Sequence, residues 1–304
     1  MSRVDRRSPA GRAYLDLQNQ ARREGRPTQQ LLTSYAIERW LARLASPHYA
    51  AQFILKGGML LAAIDTRRPT VDADALALGI PGDQITIAAI VNEIAAMPDP
   101  DGDDKDGITS AAEPLATYVI REEGMYAGVR VILAARLATA NLRVSLDVNI
   151  GDPVTPHPQQ VRLPSVRPGT PPVKLLGYPL ETVLAEKIAT AIGLGDINTR
   201  MKDYADIWTV TGNHDFGFRA VRNALAATAD HRGTTVQPLS AVIVDFVTLR
   251  APAYTAYRTS LSIDGTHLPA VLTDVVRDVV AFADALASDD SAVTAWDAAT
   301  RTWR

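Results

Sequence analysis

The sequence contains no cysteine among its 304 residues. Disulfide bonds and thiolate zinc sites are therefore excluded. Histidine is scarce, and its copies are scattered without the spacing of a metal site. The serines have no nucleophile-elbow context, which argues against a serine hydrolase. The histidines, which we interpret as loop or surface residues, are His48, His157, His214, His231 and His267.

Long apolar stretches are missing as well. No run approaches about 18 consecutive apolar residues, so no transmembrane helix is expected. The arginine-rich residues 1–27 contain no apolar core of the kind found in signal peptides. With 47% hydrophobic and 21% charged residues, the composition is that of a soluble globular protein. We expect a cytoplasmic protein of one large domain or two modest ones.

The net charge of −3 conceals an uneven distribution. Residues 1–68 hold twelve Lys/Arg and five Asp/Glu, a balance of +7, so residues 69–304 carry −10. A basic first part can bind a polyanion such as nucleic acid. A solvated helical surface explains the same charges, and both interpretations stay open.

Apolar periodicity predicts two domains of different class, over residues 1–165 and 166–304. The first half combines helical patterns with strand patterns, and the second half is helical from Pro179 onward. The fold class is therefore α/β (α+β), with a mixed sheet in the N-terminal half and an α-helical C-terminal half. The proline-rich residues 153–179 are interpreted as a surface connector. The predicted elements include helices over 12–24, 28–44 and 83–97 and strands over 70–78, 116–124, 125–137 and 142–152.

An aspartate-rich stretch, "DPDGDDKDG" (99–107), resembles a calcium-binding loop only superficially. The twelve-residue spacing and the terminal glutamate of such loops are absent. We interpret it as a solvated loop.

Two aspartates stand in the otherwise apolar stretch "TVDADALAL". Strand alternation puts Asp72 and Asp74 on one face, and the strand "LRVSLDVNIGD" presents Asp147 by the same alternation. Carboxylates that converge from neighbouring strands repel each other unless a cation lies between them. Mg²⁺ or Mn²⁺ suits such oxygen ligands and leaves positions for phosphate. The alternative is that the two aspartates are surface residues at the end of a strand and bind no metal.

A glycine pair precedes these aspartates by about fifteen residues. Gly57 and Gly58 permit close backbone approach, and their amides can bind a triphosphate at a helix N-terminus. Lys56 next to them, together with Arg67 and Arg68, is a candidate contact for the triphosphate. The two arginines can equally be edge-strand charges.

Several motifs together resemble the AbiEii/AbiGii nucleotidyltransferase toxin family, which includes the MenT-like mycobacterial toxins and has a polymerase-β-like fold. The resemblance spans roughly residues 15–210. It rests on the following stretches: "LLTSYAIERWLARLASPHYAAQFILKGGMLLAA", "RPTVDADAL", "LDVNIGD", "GYPLETVLAEKIAT" and "TRMKDYADIW".

The resemblance implies roles for individual residues. Gly57 and Gly58 match the glycine motif of the nucleotide site, and Thr70 matches a hydroxyl two residues before the first aspartate. Asp72 and Asp74 match the metal-binding pair, and Asp147 matches its third carboxylate. The second half supplies Lys187, a match to a lysine that contacts nucleotide phosphates, and Asp203 and Asp206, of which one matches an essential aspartate. Ordinary helix-surface pairing, such as Lys202 with Asp206, is the alternative for this last group.

The implied activity is metal-dependent transfer of nucleotides, pyrimidines in particular, from an NTP to the 3′ end of tRNA, which blocks translation. The implied partners are Mg²⁺ or Mn²⁺, an NTP, tRNA or another RNA acceptor, and a cognate antitoxin protein. Two alternatives remain: transfer of AMP to protein side chains, and a non-catalytic module that binds a partner.

Overall fold

The computed structural model describes residues 4–64, 70, 72–100, 102, 106–122, 126–288 and 293–304. The chain divides into two compact units. The first comprises Met1–Gly151 and Gln159–Gly177, and the second comprises Asp152–Pro158 and Tyr178–Arg304. The boundary predicted at 165/166 falls inside the segment Gln159–Gly177.

Within the described residues, the first unit contains one mixed sheet of eight strands in the order β3-β5-β6-β2-β1-β8-β7, with β4 also paired to β5. The pairs β2–β6 and β1–β8 are parallel, and the other pairs are antiparallel. The strands are β1 (Phe53–Lys56), β2 (Asp72–Ala77), β3 (Ile108–Ser110), β4 (Ala116–Glu122), β5 (Tyr126–Leu137), β6 (Ala140–Ile150), β7 (Gln159–Leu163) and β8 (Val173–Gly177).

Four helices accompany this sheet, and side-chain caps mark the start of two of them. The Ser8 hydroxyl accepts from the Gly11 amide at 3.0 Å and starts the first helix, so this helix begins earlier than residue 12. The Asp83 carboxylate caps the fourth in the same way, accepting from the Thr86 amide at 2.9 Å. The helices are α1 (Pro9–Glu24), α2 (Thr28–Leu44), α3 (Gly57–Ile64) and α4 (Gln84–Ala96).

The second unit is mainly helical, and a small antiparallel sheet joins residues near its middle to residues near its end. Trp296 is buried there against Phe282 and Trp303, so it is a packing residue. No described helix is long and apolar enough to cross a membrane. The elements are α5 (Leu180–Leu194), α6 (Met201–Asn213), β9 (Phe216–Gly217), α7 (Phe218–Arg232), α8 (Phe246–Ser260), α9 (Leu272–Ala283), β10 (Ala295–Asp297) and β11 (Thr302–Trp303).

The interpretation of residues 153–179 as a surface connector was wrong. This stretch contains the hairpin of β7 and β8, in which Leu163, Val173 and Leu175 are buried. The prolines lie outside the two strands, where their missing N–H groups cost no ladder hydrogen bond.

The interpretation of residues 99–107 as a solvated loop was wrong at both ends. Asp99 and Asp106 are buried, and the Asp106 amide donates to the Asp99 carboxylate at 2.8 Å. Arg43 of α2 donates to the Asp106 carboxylate at 2.7 Å. A buried carboxylate needs such a partner, and the partner lies 63 residues away in the sequence.

Candidate active site

The two aspartates of β2 lie on one face of the sheet, as the alternation predicts. Asp72 and Asp74 are half-buried, while Ala73 and Ala75 between and after them are fully buried. The strand therefore packs its alanines into the core and keeps both carboxylates accessible.

A row of four charged residues crosses the sheet at the level of Asp74. Lys56 of β1 pairs in register with Asp74, Asp74 with Asp147 of β6, and Asp147 with Arg130 of β5. Residues in register on neighbouring strands share a face and lie about 5 Å apart. The two central carboxylates are thus flanked by one cation on each side, which offsets their mutual repulsion.

Arg130 binds Asp147 through two parallel hydrogen bonds. Its Nε donates to Asp147 Oδ1 at 2.7 Å, and its Nη2 donates to Oδ2 at 2.6 Å. These bonds, with the charges of Asp72 and Asp74, raise the pKa of the Arg130 guanidinium despite its partial burial. Both oxygens of Asp147 are engaged by Arg130, and its assignment as a third metal ligand stays a prediction.

Arg130 is a site residue that the sequence did not reveal. The available signal was a single arginine inside the apolar strand "GVRVIL", on the face opposite Val129 and Val131. Only the register of β5 against β6 shows that this arginine faces Asp147.

Gly57 begins α3 directly after β1, with φ +64°. A Cβ added at this position would collide with Oδ2 of Asp74. The glycine therefore lets the first turn of α3 approach the Asp74 carboxylate, and any side chain at this position would push that carboxylate aside. Helix N-termini present unpaired N–H groups and a partial positive charge, which suit phosphate.

Thr70 fixes the orientation of Asp72. Its hydroxyl lies 2.9 Å from Asp72 Oδ1 and 3.0 Å from the Asp72 carbonyl oxygen. Thr70 is buried, and its own carbonyl accepts from the Ser34 hydroxyl at 3.4 Å. The predicted site residues Arg67 and Arg68 lie outside the described residues. Gly58 is buried in α3, and Lys56 is buried at the end of β1.

A second cluster of predicted residues lies in the second unit. Lys187 of α5 bridges two carboxylates of α6, with its Nζ 2.6 Å from Asp203 Oδ1 and 2.8 Å from Asp206 Oδ2. Arg200 Nε donates to the other oxygen of Asp203 at 2.7 Å. Asp206 therefore pairs with Lys187, whereas Lys202 of the same helix is exposed.

The charges of this cluster hold Asp203 ionised. Burial alone would raise the pKa of Asp203, but the positive charges of Lys187 and Arg200 outweigh it and lower the pKa to about 2. A buried carboxylate that stays charged depends on its partners. Asp203 and Asp206 both have a structural role here, in addition to any catalytic one.

Among the described residues, no group of three or more His, Asp or Glu side chains is arranged to hold a metal ion. A pair of carboxylates still fits Mg²⁺, which proteins bind through one or two carboxylates together with substrate phosphates and water. Asp72 and Asp74 form such a pair, and Gly57 at the start of α3 lies against Asp74.

Substituting Gly57 with alanine tests the contact with Asp74. Gly57→Ala will lower any activity of this site by at least about tenfold, because the new methyl group displaces the Asp74 carboxylate. Gly79→Ala is the matched control: Gly79 also has positive φ, +67°, but a Cβ there meets nothing within 4 Å. Both variants lose about 1–2 kcal/mol of stability in thermal unfolding. Equal activity loss in the two would contradict the proposed contact.

Comparison with known proteins gives a family match over most of the chain. The family described as "Nucleotidyl transferase AbiEii toxin, Type IV TA system" matches residues 39–299. A search of curated proteins gives no match.

Two solved structures from Helicobacter pylori are similar in part. JHP933 is 12% identical, with 86% of this chain and 91% of that chain covered and a TM-score of 0.44. The second is a protein whose assignment as a nucleotidyltransferase is itself provisional. It is 13% identical, with 86% of this chain and 94% of that chain covered and a TM-score of 0.43.

The family match agrees with the architecture. The mixed sheet of the first unit and the helices of the second confirm the expected fold class, a polymerase-β-like sheet domain followed by helices. The chain therefore belongs to the AbiEii nucleotidyltransferase toxin family of type IV toxin–antitoxin systems.

Proposed function

We propose that this protein is a Mg²⁺-dependent enzyme that transfers nucleotides, pyrimidines in particular, from an NTP to the 3′ end of tRNA and so blocks translation. The observation that supports this best is the carboxylate pair Asp72 and Asp74 on one strand face, with Gly57 of α3 against Asp74. Family membership supplies the reaction class, nucleotidyl transfer. The acceptor, the base preference and the metal are the proposed part.

Asp72 and Asp74 would hold the Mg²⁺. When bound, the metal supplies charge neutralisation on the phosphates and on the attacking and leaving oxygens. Thr70 keeps Asp72 in a fixed rotamer through the hydrogen bond at 2.9 Å. Pre-organisation of this kind is favourable because the ligands need not reorder when the substrate binds.

The triphosphate would lie at the N-terminus of α3. Gly57 and Gly58 provide backbone N–H groups there, and Lys56 and Arg130 add positive charge at the edges of the carboxylate row. Arg67 and Arg68, which precede β2 in the sequence, are proposed as further phosphate contacts. Asp147 is proposed to assist Asp74, with Arg130 as the residue that positions it.

Lys187 is proposed to bind a phosphate of the nucleotide. Its two carboxylate partners, at 2.6 Å and 2.8 Å, hold the ammonium group in place. Asp203 and Asp206 then act as positioning residues for this lysine.

The RNA acceptor is supported by the charge distribution. Residues 1–68 carry a balance of +7 in a chain whose total is −3. Contacts of Lys and Arg with backbone phosphates supply most of the affinity in such complexes. The toxin–antitoxin family also implies a cognate antitoxin as partner, which we propose for this chain.

Incubation with each α-labelled NTP, total tRNA and Mg²⁺ tests the proposal. We expect label in the tRNA band, most strongly with CTP or UTP, and none when EDTA removes the metal. A parallel reaction supplies protein acceptors instead of RNA. Label in protein and none in tRNA would overturn the proposed acceptor in favour of AMP transfer to side chains.

A further inference from the structure

A cavity of about 500 Å³ lies in the first unit, outside the carboxylate row. It is bounded by α1, α2 and the turn between β7 and β8. Three arginines line it, Arg12 of α1, Arg39 of α2 and Arg167 of the turn, together with Tyr35. Neither Asp72 nor Asp74 lines it. Its volume is that of a site for a small molecule or a single nucleotide.

The lining carries an excess of positive charge. Among the described residues that line it, three guanidiniums stand against one carboxylate, Asp106, and that carboxylate already accepts from Arg43 at 2.7 Å. Asp16 binds Arg167 from outside the lining, at 3.1 Å, and is about 40% exposed. Positive charge gathered in one cavity favours an anionic ligand, and the low dielectric around the buried Arg39 strengthens its attraction.

The arginine of the turn is held in place before any ligand arrives. The buried carboxylate of Glu38 accepts from the Val166 amide at 3.0 Å and from the Ser165 hydroxyl at 2.9 Å. The Arg167 amide in turn donates to the Ser165 hydroxyl at 3.2 Å. α2 thereby fixes the backbone that carries Arg167, and pre-organisation of this kind lowers the entropic cost of binding.

Tyr35 and Arg39 form the floor of the cavity. Both are buried, and the Arg39 guanidinium carbon lies 5.7 Å from the centre of the Tyr35 ring. Burial raises the pKa of Tyr35 to about 12, so its hydroxyl stays protonated at neutral pH and donates to the Asp106 carbonyl at 3.2 Å. The floor therefore offers positive charge without a competing phenolate.

We propose that this cavity binds the phosphate monoester of a nucleotide. A monoester carries nearly two negative charges at neutral pH, which match the surplus of the lining. Arginine forks bind phosphate oxygens through paired hydrogen bonds. A phosphodiester inside a chain carries one charge and needs no cavity, so the terminal group is the better match.

Two sources supply this group: a free nucleoside monophosphate and the 5′-phosphate at an RNA end. α2 contributes to both places, since it carries Tyr35 in the cavity lining and its Ser34 donates to the Thr70 carbonyl, two residues before Asp72, at 3.4 Å. For the RNA end, the inference rests on the proposed function, because the cavity then holds one terminus of the acceptor. For a free monophosphate it stands independently.

Equilibrium binding without Mg²⁺ tests the site, since no transfer occurs under those conditions. The probes are a fluorescent RNA oligonucleotide with a 5′-phosphate, the same RNA with a 5′-hydroxyl, and CMP as competitor. The variants are Arg12→Gln, Arg167→Gln and, as the matched control, Arg162→Gln, an exposed arginine on β7. Arg12 is itself exposed, so its substitution spares the core.

We expect the 5′-phosphate to tighten binding about tenfold in the wild type and the Arg162→Gln variant. This advantage disappears in Arg12→Gln and in Arg167→Gln. Competition by CMP that requires Arg12, without any effect of the RNA 5′-phosphate, supports the site with a free nucleotide as its ligand. Equal affinities for both RNAs together with no CMP binding overturn the proposal. The proposed transfer reaction is tested separately, by incubation with α-labelled NTP, tRNA and Mg²⁺. A negative result there does not change the result of the CMP binding experiment.

Discussion

Asp72→Asn will reduce nucleotide transfer by about a thousandfold or more while the protein stays folded. Asparagine keeps the shape of the side chain, and its carbonyl oxygen can still accept from the Thr70 hydroxyl that now lies 2.9 Å from Asp72 Oδ1. The negative charge is lost, and with it the attraction for a divalent cation. Loss of one pre-organised electrostatic contact typically costs a hundredfold to a thousandfold, and a metal site depends on its charges more strongly still.

The measurement is the initial rate of label transfer at saturating NTP, together with thermal unfolding of each variant. Glu113→Gln is the matched control, because it also removes one carboxylate from the first unit, at an exposed position in the segment between β3 and β4. We expect it to retain wild-type rate. Retention of more than a tenth of the rate by Asp72→Asn would show that transfer does not depend on this carboxylate as a metal ligand.

The aspartate pair was predictable because strand alternation is a local property. Residues two apart on a strand share a face whatever the sheet around them, so Asp72 and Asp74 were placed together from the sequence alone. The partners of that face depend on register, which is not local. Arg130 faces Asp147 because β5 and β6 are joined by a tight turn at Ala138 and Thr139.

That turn carries no sequence signal. Ala138 has φ +52°, a conformation for which short hairpin turns normally use asparagine, aspartate or glycine. Nothing in "RLATANL" therefore indicates a turn, and the strand pairing stayed hidden. The same limit explains Asp106, whose burial depends on Arg43 in a helix far away in the sequence.

The cluster of Lys187, Asp203 and Asp206 in the second unit shows the same limit of prediction from local sequence. Helical spacing predicted correctly that Asp203 and Asp206 share a face. It also allowed a surface pair between Lys202 and Asp206. The structure selects Lys187 of α5 as the partner instead, because α5 packs against that face of α6.

Lys187→Met will destabilise the second unit by about 3 kcal/mol at pH 7. The substitution keeps the aliphatic packing of the lysine and removes the ammonium that bridges Asp203 at 2.6 Å and Asp206 at 2.8 Å. Two buried carboxylates then face each other with Arg200 as the remaining cation of the described cluster. Breaking a buried ion pair by removal of one partner typically costs 3–5 kcal/mol, because an uncompensated charge stays behind.

Lys202→Met is the matched control. It removes an exposed lysine from α6, the helix that carries Asp203 and Asp206. We expect the free energy of unfolding, measured with urea, to change by less than about 0.5 kcal/mol. Adding Asp206→Asn to Lys187→Met should recover part of the loss, because one of the two opposed carboxylates becomes neutral. Equal destabilisation by the two lysine substitutions would contradict the buried cluster.

The pH dependence of the free energy of unfolding tests the same prediction independently. The positive partners hold the pKa of Asp203 at about 2 in the folded protein, below the ordinary 3.8. The ionised form therefore stabilises the fold above the unfolded pKa, and that contribution disappears as the pH falls from about 4 towards 2. In Lys187→Met the Asp203 carboxylate protonates more readily, so the difference in the free energy of unfolding between wild type and variant should be largest at pH 7 and should narrow below pH 4. A difference that stays constant from pH 7 to pH 3 would show that the ammonium of Lys187 does not lower the pKa of Asp203, and the lowered pKa would then be due to Arg200.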